Sequence, residues 1–188
     1  MALTESRTGA ADFNAPDFLL SGTDGTTYSL DSFREARALV IVFMCNHCPY
    51  VIAVQDRINA LAREYAGRGV ALIGINSNDA ERYPADSFEA MKIRAAEKGY
   101  VFPYLHDPLQ TTARAYDAAC TPDPYVFERL QDGGFRLRYH GRIDDSWKDP
   151  AQVTKRELAE ALEAILAGRP VAPIQHPALG CSIKWRSA

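Results

Sequence analysis

No apolar run in this 188-residue chain is long enough to cross a bilayer: the longest, Ala38 to Met44, falls far short of the ~20 residues a membrane helix needs. Nor does the start, Met1 to Asp12, place a basic flank before an apolar segment, so the chain reads as cytoplasmic with no membrane partner. Positive charge is not in excess. The 21 Lys and Arg face 24 Asp and Glu, a net charge of −3, which argues against nucleic acid as a partner. Cysteine is scarce too: four residues are too few for a disulfide scaffold, and two of them, Cys45 and Cys48, lie three apart. In a cytosolic chain that spacing points to catalysis or metal binding rather than stapling. Internal repeats, low-complexity tracts and linkers are absent. What remains, 47% hydrophobic and 24% charged, is the composition of one folded domain with an ordinary core.

The pattern along the chain divides it into a flexible N-terminus (1–14), a domain (15–168) and a C-terminal tail without regular pattern (169–188). Asp24-Gly25, flanked by Ala15 to Leu20 and Thr26 to Leu30, reads as the turn of an N-terminal hairpin. Ala38 to Phe43 is a continuous apolar run of strand length, as a strand covered on both faces requires. After Cys48-Pro49, residues Val51, Val54, Ile58, Leu61 and Tyr65 recur at helical spacing until Gly67 and Gly69. Val70 to Ile75 reads as a second buried strand. A helix capped by Asp86 and Glu89 follows, to Lys98 and Gly99. Val101 to Leu105 is extended and Thr111 to Tyr116 a short helix. Tyr125 to Leu130 and Phe135 to Tyr139 form a hairpin about Asp132-Gly133-Gly134, and a last helix is capped by Thr154 and Glu157 and closed by Gly168. The order predicts an α/β fold: a central mixed sheet, helices on both faces, and a site at the carboxyl ends of its strands.

Cys45-Asn46-His47-Cys48-Pro49 falls at a strand-to-helix junction. A thiol acts as a nucleophile only as a thiolate, and a helix N-terminus lowers a thiol pKa from about 8.5 toward roughly 3.5–7.5. Cys48 precedes a proline suited to the first helical turn, so its sulfur should face unpaired N–H groups and the positive end of the helix dipole. His47 could add charge or shuttle a proton, and Cys45 could resolve a mixed disulfide on Cys48. The plainer readings stand beside these. A buried cysteine also serves as a small hydrophobe, and His47 could simply solvate the loop. A zinc site from Cys45, His47, Cys48 and Cys120 has suitable ligand types but no second closely spaced pair.

Ala15-Pro16-Asp17-Phe18, Asp24-Gly25, Phe43 through Tyr50, and Thr121-Pro122 leading into Tyr125-Val126-Phe127 carry a resemblance. The chain resembles the alkyl hydroperoxide reductase and thiol-specific antioxidant (peroxiredoxin-like) redoxins, from Ala15 to about Gly168. The resemblance implies a thioredoxin-like fold with an N-terminal hairpin extension. It also implies that Thr121-Pro122 is a cis-proline loop facing the active cysteine, binding substrate together with Pro49. Thioredoxins have a strand phenylalanine five residues before the attacking cysteine, and Phe43 stands five before Cys48. The thioredoxin resolving position is Val51 here. Cys45 instead falls where peroxiredoxins place a peroxide-orienting threonine, and Pro122 occupies the region of their arginine, which weakens a peroxidase reading.

Cys120, two residues before Pro122, is a second candidate resolving thiol or a loop filler. Cys181, in an apolar patch of the tail, either anchors that tail or resolves from a distance. Arg142 could reach an anion near the site or pair with Asp144 or Asp145. The leading expectation is a thiol–disulfide oxidoreductase with Cys48 as nucleophile, Cys45 resolving, His47 tuning the thiolate and Pro122 guiding the substrate. It needs no cofactor beyond a thiol reductant such as a thioredoxin system. The alternatives are a thiol peroxidase and, from another class, a redox-sensing or metal-binding module.

Overall fold

The computed structural model describes residues 3–7 and 13–187. In chain order the elements are β1 (Leu3–Glu5), β2 (Leu19–Gly22), β3 (Thr27–Ser29), β4 (Ala38–Phe43), α1 (Pro49–Tyr65), β5 (Val70–Asn76) and α2 (Phe88–Lys98). They continue with β6 (Tyr104–His106), α3 (Thr111–Ala115), β7 (Cys120–Thr121), β8 (Asp123–Arg129), β9 (Phe135–His140), α4 (Glu157–Leu166) and β10 (Leu179–Ser182). Seven strands form one mixed sheet in the order β3-β2-β6-β5-β4-β8-β9. At its centre β4 runs parallel to β5 and antiparallel to β8. Every residue of β4 is buried, as its unbroken apolar sequence requires.

Because strand side chains alternate, β4 feeds two cores. Ala38, Val40 and Val42 share a cluster with Val51, Val54, Ile58, Leu61 and Tyr65 of α1, Met91 of α2, and Leu158, Leu162 and Ile165 of α4. Leu39, Ile41 and Phe43 lie in the other cluster with Ile73, Ile75, Tyr116, Tyr125 and Phe127. Each buried Val, Leu, Ile or Phe contributes about 1.5–3 kcal/mol, which fixes the strand end and helix start that bracket Cys48.

A second sheet, in the order β1-β10-β7, was not expected. Leu3–Glu5, placed in the flexible N-terminus by sequence, pairs antiparallel with Leu179–Ser182 of the supposedly patternless tail. Phe13 also packs edge-on against Phe127 and Tyr116. Of the expected flexible segment, residues 1–2 and 8–12 lie outside the described residues. Such short strands carry too few residues to show alternation, and backbone pairing decides them. Gly180 is the visible requirement: a Cβ there would stand 2.2 Å from the carbonyl oxygen of Thr121.

Two helix starts also differ from expectation. Ser87, not Asp86, caps α2, its Oγ accepting from the Ala90 N–H at 3.3 Å, while Asp86 turns inward and is fully buried. Arg156 precedes α4, and Thr154 bonds Asp145 instead of capping the helix. Gly99, with φ +55°, ends α2 as the sequence indicated.

Candidate active site

Extended backbone at Cys48 (φ −72°, ψ 123°) makes it the N-cap of α1, with Pro49 at the first helical position. Its carbonyl accepts from Ile52 N–H at 2.9 Å, closing the first turn. The sulfur has 0% exposure. It lies under the loop that joins β7 to β8, where the Thr121-Pro122 bond is cis. As a thiol, Cys48 donates to the Thr121 carbonyl at 3.1 Å.

Three sulfurs meet here. Cys45, whose thiol is 3.4 Å from Thr121 Oγ1, and Cys181 share one buried cluster with Cys48. Their effect on its ionisation outweighs burial. Donation from Cys45 is the largest influence, burial opposes it, and Cys181, the Val51 N–H and Thr121 help, bringing the Cys48 pKa down from 9.0 to about 5. The Thr121 carbonyl favours the thiol, since an anion gains nothing from that oxygen, but it is outnumbered. The donors keep their protons in turn. Cys45 is pushed well above its ordinary value by its bond to Cys48, by burial and by the Asp86 carboxylate. Cys181 is pushed up to about 11 by burial and by Cys48, with Lys184 opposing. Of the three, Cys48 is the sulfur whose ionisation is favoured, while Cys45 and Cys181 are disposed to keep their protons.

Cys120 stands apart from this trio in its bonding. Its thiol donates to the Pro122 carbonyl at 3.6 Å and is raised chiefly by burial, which fits the loop-filling alternative. Arg142 does not pair with Asp144 or Asp145. Its guanidinium takes Glu157 of α4, with Nε–Oε1 at 2.8 Å, while Asp144 is held by Arg57. Its bonding thus ties the end of the β9 hairpin to α4 and shows no link to the cysteines.

Sequence reasoning missed Asp86, which it had spent on a helix cap. Its Oδ1 accepts from the Asn46 N–H at 2.7 Å and its Oδ2 from Asn78 Nδ2 at 2.8 Å. The same Oδ2 is 2.7 Å from His47 Nδ1, without the alignment of a hydrogen bond. The imidazole also stacks on Tyr83 with ring centroids 5.5 Å apart. Asn46 pins the loop further. Its amide donates to Ala85 O and accepts from the Tyr104 hydroxyl, and its carbonyl takes Arg94 at 2.6 Å. The cysteine loop is thus held by hydrogen bonds to three segments: the Ala85–Asp86 turn, Arg94 of α2 and Tyr104 of β6. The only sequence signal for Asp86 was a carboxylate with no apolar reason to be buried, which a capping pattern explained away.

Cys45, His47 and Asp86 could hold a metal, since one ligand atom of each lies within 4.8 Å of the others. That set differs from the zinc ligands considered on sequence: Asp86 joins, and Cys120 faces Pro122. Two N–H donors satisfy the Asp86 carboxylate, whereas the buried His47 Nδ1 makes no hydrogen bond.

Residues 12–145 match the AhpC/TSA family, well over half of the chain. The chain belongs to the AhpC/TSA family. An uncharacterized conserved protein from Geobacillus kaustophilus is 46% identical, with a TM-score of 0.93 over 100% of this chain and 98% of that one. A hypothetical protein from Sinorhizobium meliloti 1021 is 38% identical, with a TM-score of 0.91 over 98% of this chain and 100% of that one. A thioredoxin-family thiol:disulfide interchange protein from Chlorobium tepidum has 20% identity and a TM-score of 0.52 over 63% of this chain and 80% of that one. That last likeness concerns the fold, which is thioredoxin-like. Among curated proteins none matches the sequence. No described helix is long and apolar enough to cross a membrane.

Proposed function

We propose that this AhpC/TSA member is a thiol–disulfide oxidoreductase whose nucleophile is Cys48. One observation carries the reading: a helix N-cap cysteine 3.1 Å from the Thr121 carbonyl, its pKa drawn down to about 5, in one buried cluster with Cys45 and Cys181. The Cys48 thiolate attacks one sulfur of a substrate disulfide, the other sulfur leaves as a thiolate, and a mixed disulfide remains on Cys48. A neighbouring thiol then displaces the bound half, leaving an internal disulfide that an external dithiol reductant, such as a thioredoxin system, returns to thiols. Pro49 and the Thr121-Pro122 edge flank the incoming sulfur. His47, held against Asp86, serves as proton carrier at the mouth of the loop.

Hydroperoxide reduction is favoured by a different observation. Cys48 has no exposed surface, and a small peroxide passes a closed mouth more readily than a protein disulfide. Attack would give a sulfenic acid on Cys48 and release an alcohol or water. Insulin-disulfide reduction and peroxide consumption, each compared between the wild type and Cys48→Ser, separate the two. Disulfide reduction lost in the variant supports the proposal; peroxide turnover without disulfide reduction replaces it.

A further inference from the structure

Of the thiols that touch Cys48, the structure distinguishes two by what surrounds them. Cys45 belongs to a loop fixed by hydrogen bonds with Asp86, Ala85, Tyr104 and Arg94. To resolve a disulfide it must become a thiolate within 4.8 Å of the buried Asp86 carboxylate, a like charge in a low-dielectric setting. On Cys181 the Lys184 ammonium acts in the opposite sense, favouring the thiolate.

Position makes the same distinction. Cys181 pairs across the small sheet with Thr121, whose carbonyl oxygen is 3.1 Å from the Cys48 sulfur. Gly180 next to it packs directly on the Thr121 backbone. Strand β10 is therefore part of the cover that leaves Cys48 with no exposure, paired with β7 at Cys181↔Thr121 and Ser182↔Cys120 and with β1 on its other side. Cys181 is thus held beside the residue whose carbonyl accepts from the reacting thiol.

We propose that Cys181, carried on β10, is the resolving thiol, so that the oxidised protein holds a Cys48–Cys181 disulfide that ties its C-terminal strand to the start of α1. The inference rests on Cys48 being the nucleophile of a disulfide exchange. In the first step Cys48 displaces RS⁻ from RSSR and keeps the other half as Cys48–S–SR. Cys181 gives its proton to solvent and its thiolate attacks the Cys48 sulfur; the Cys48–SR bond breaks and a second RS⁻ leaves. One substrate disulfide has gained two electrons and the two protein thiols have lost them. A dithiol reductant restores the pair.

The test uses reduced full-length protein and one equivalent of glutathione disulfide, with acid quenching, alkylation and mass-spectrometric mapping over time. A Cys48–glutathione adduct that decays into a Cys48–Cys181 linkage is expected in the wild type and in Cys45→Ser. In Cys181→Ser the adduct should persist, with loss of the internal disulfide. A Cys45–Cys48 linkage in the wild type, or an adduct in Cys181→Ser that decays as in the wild type, overturns the assignment. Wild-type mapping needs no variant, so misfolding of Cys181→Ser cannot hide the answer. Failure of the parent reading looks different: Cys48 takes no glutathione at all, and the proposal falls with it.

Discussion

Replacing Cys45 by Ala should raise the pKa of Cys48 by about one to two units. Cys45 is the largest of the influences that bring Cys48 down to about 5. A hydrogen bond to a charged group contributes about 1.5–3 kcal/mol, and one pKa unit corresponds to about 1.4 kcal/mol. The midpoint should therefore move to roughly 6–7. At neutral pH much of the thiolate survives, whereas in mildly acidic buffer the variant should lose most of its reactivity and the wild type should not. Ultraviolet absorbance of the thiolate, titrated against Cys48→Ser as a blank, reads the midpoint directly. Cys181→Ala should give a smaller upward shift, because its donation ranks below that of Cys45. A Cys45→Ala midpoint equal to or below that of the wild type would refute the reasoning, as would a wild-type midpoint at the ordinary thiol value.

Linkage gives an independent expectation. The folded pKa of Cys48 lies below its ordinary 9.0, so its stabilisation is complete above pH 9 and is lost as pH falls through about 5. Denaturant midpoints of wild type and Cys48→Ser, kept reduced, should converge over that window from a gap on the order of 2–3 kcal/mol at pH 7; a gap independent of pH contradicts the thiolate. Asp86→Asn keeps the shape but turns an acceptor toward a donor, so either Asn46 N–H or Asn78 Nδ2 loses its partner. A loss of about 1–3 kcal/mol in stability is expected by chemical denaturation, and a neutral effect would show that Asp86 does not hold the loop. Gly180→Ala drives a Cβ onto the Thr121 carbonyl. Strand β10 should lift, at a cost of about 1–3 kcal/mol, and alkylation of Cys48 should speed up; an unchanged rate would mean that β10 is not its cover.

The central architecture was legible because burial writes itself into composition. Ala38–Phe43 could be only a covered strand, and Val51 to Tyr65 repeat with the period of a helix that packs on it. The register of Phe43 against Cys48 singled out one sulfur of four, and that sulfur is the N-cap. What escaped were features made by backbone pairing and by long-range partners. Leu3–Glu5 and Leu179–Ser182 are too short for any period to appear, yet their pairing sets Cys181 across from Thr121, which contacts Cys48. Asp86 carried a capping pattern that Ser87 in fact fulfils, and its true partners Asn46 and Asn78 lie on other segments. Arg142 was given sequence neighbours as partners, whereas the fold supplies Glu157 from α4. Local charge pairing is a weak guide wherever a turn brings a distant helix closer than the next residue.

The most direct test of the account is to identify the first sulfur to react. Reduced protein at neutral pH receives one equivalent of a small disulfide and is quenched at the earliest times, and the site of the first adduct is mapped by mass spectrometry. Cys48 should carry it, although it is the least exposed of the three thiols that meet at the site. An adduct that forms first on Cys45, Cys120 or Cys181 while Cys48 stays a free thiol would contradict the claim.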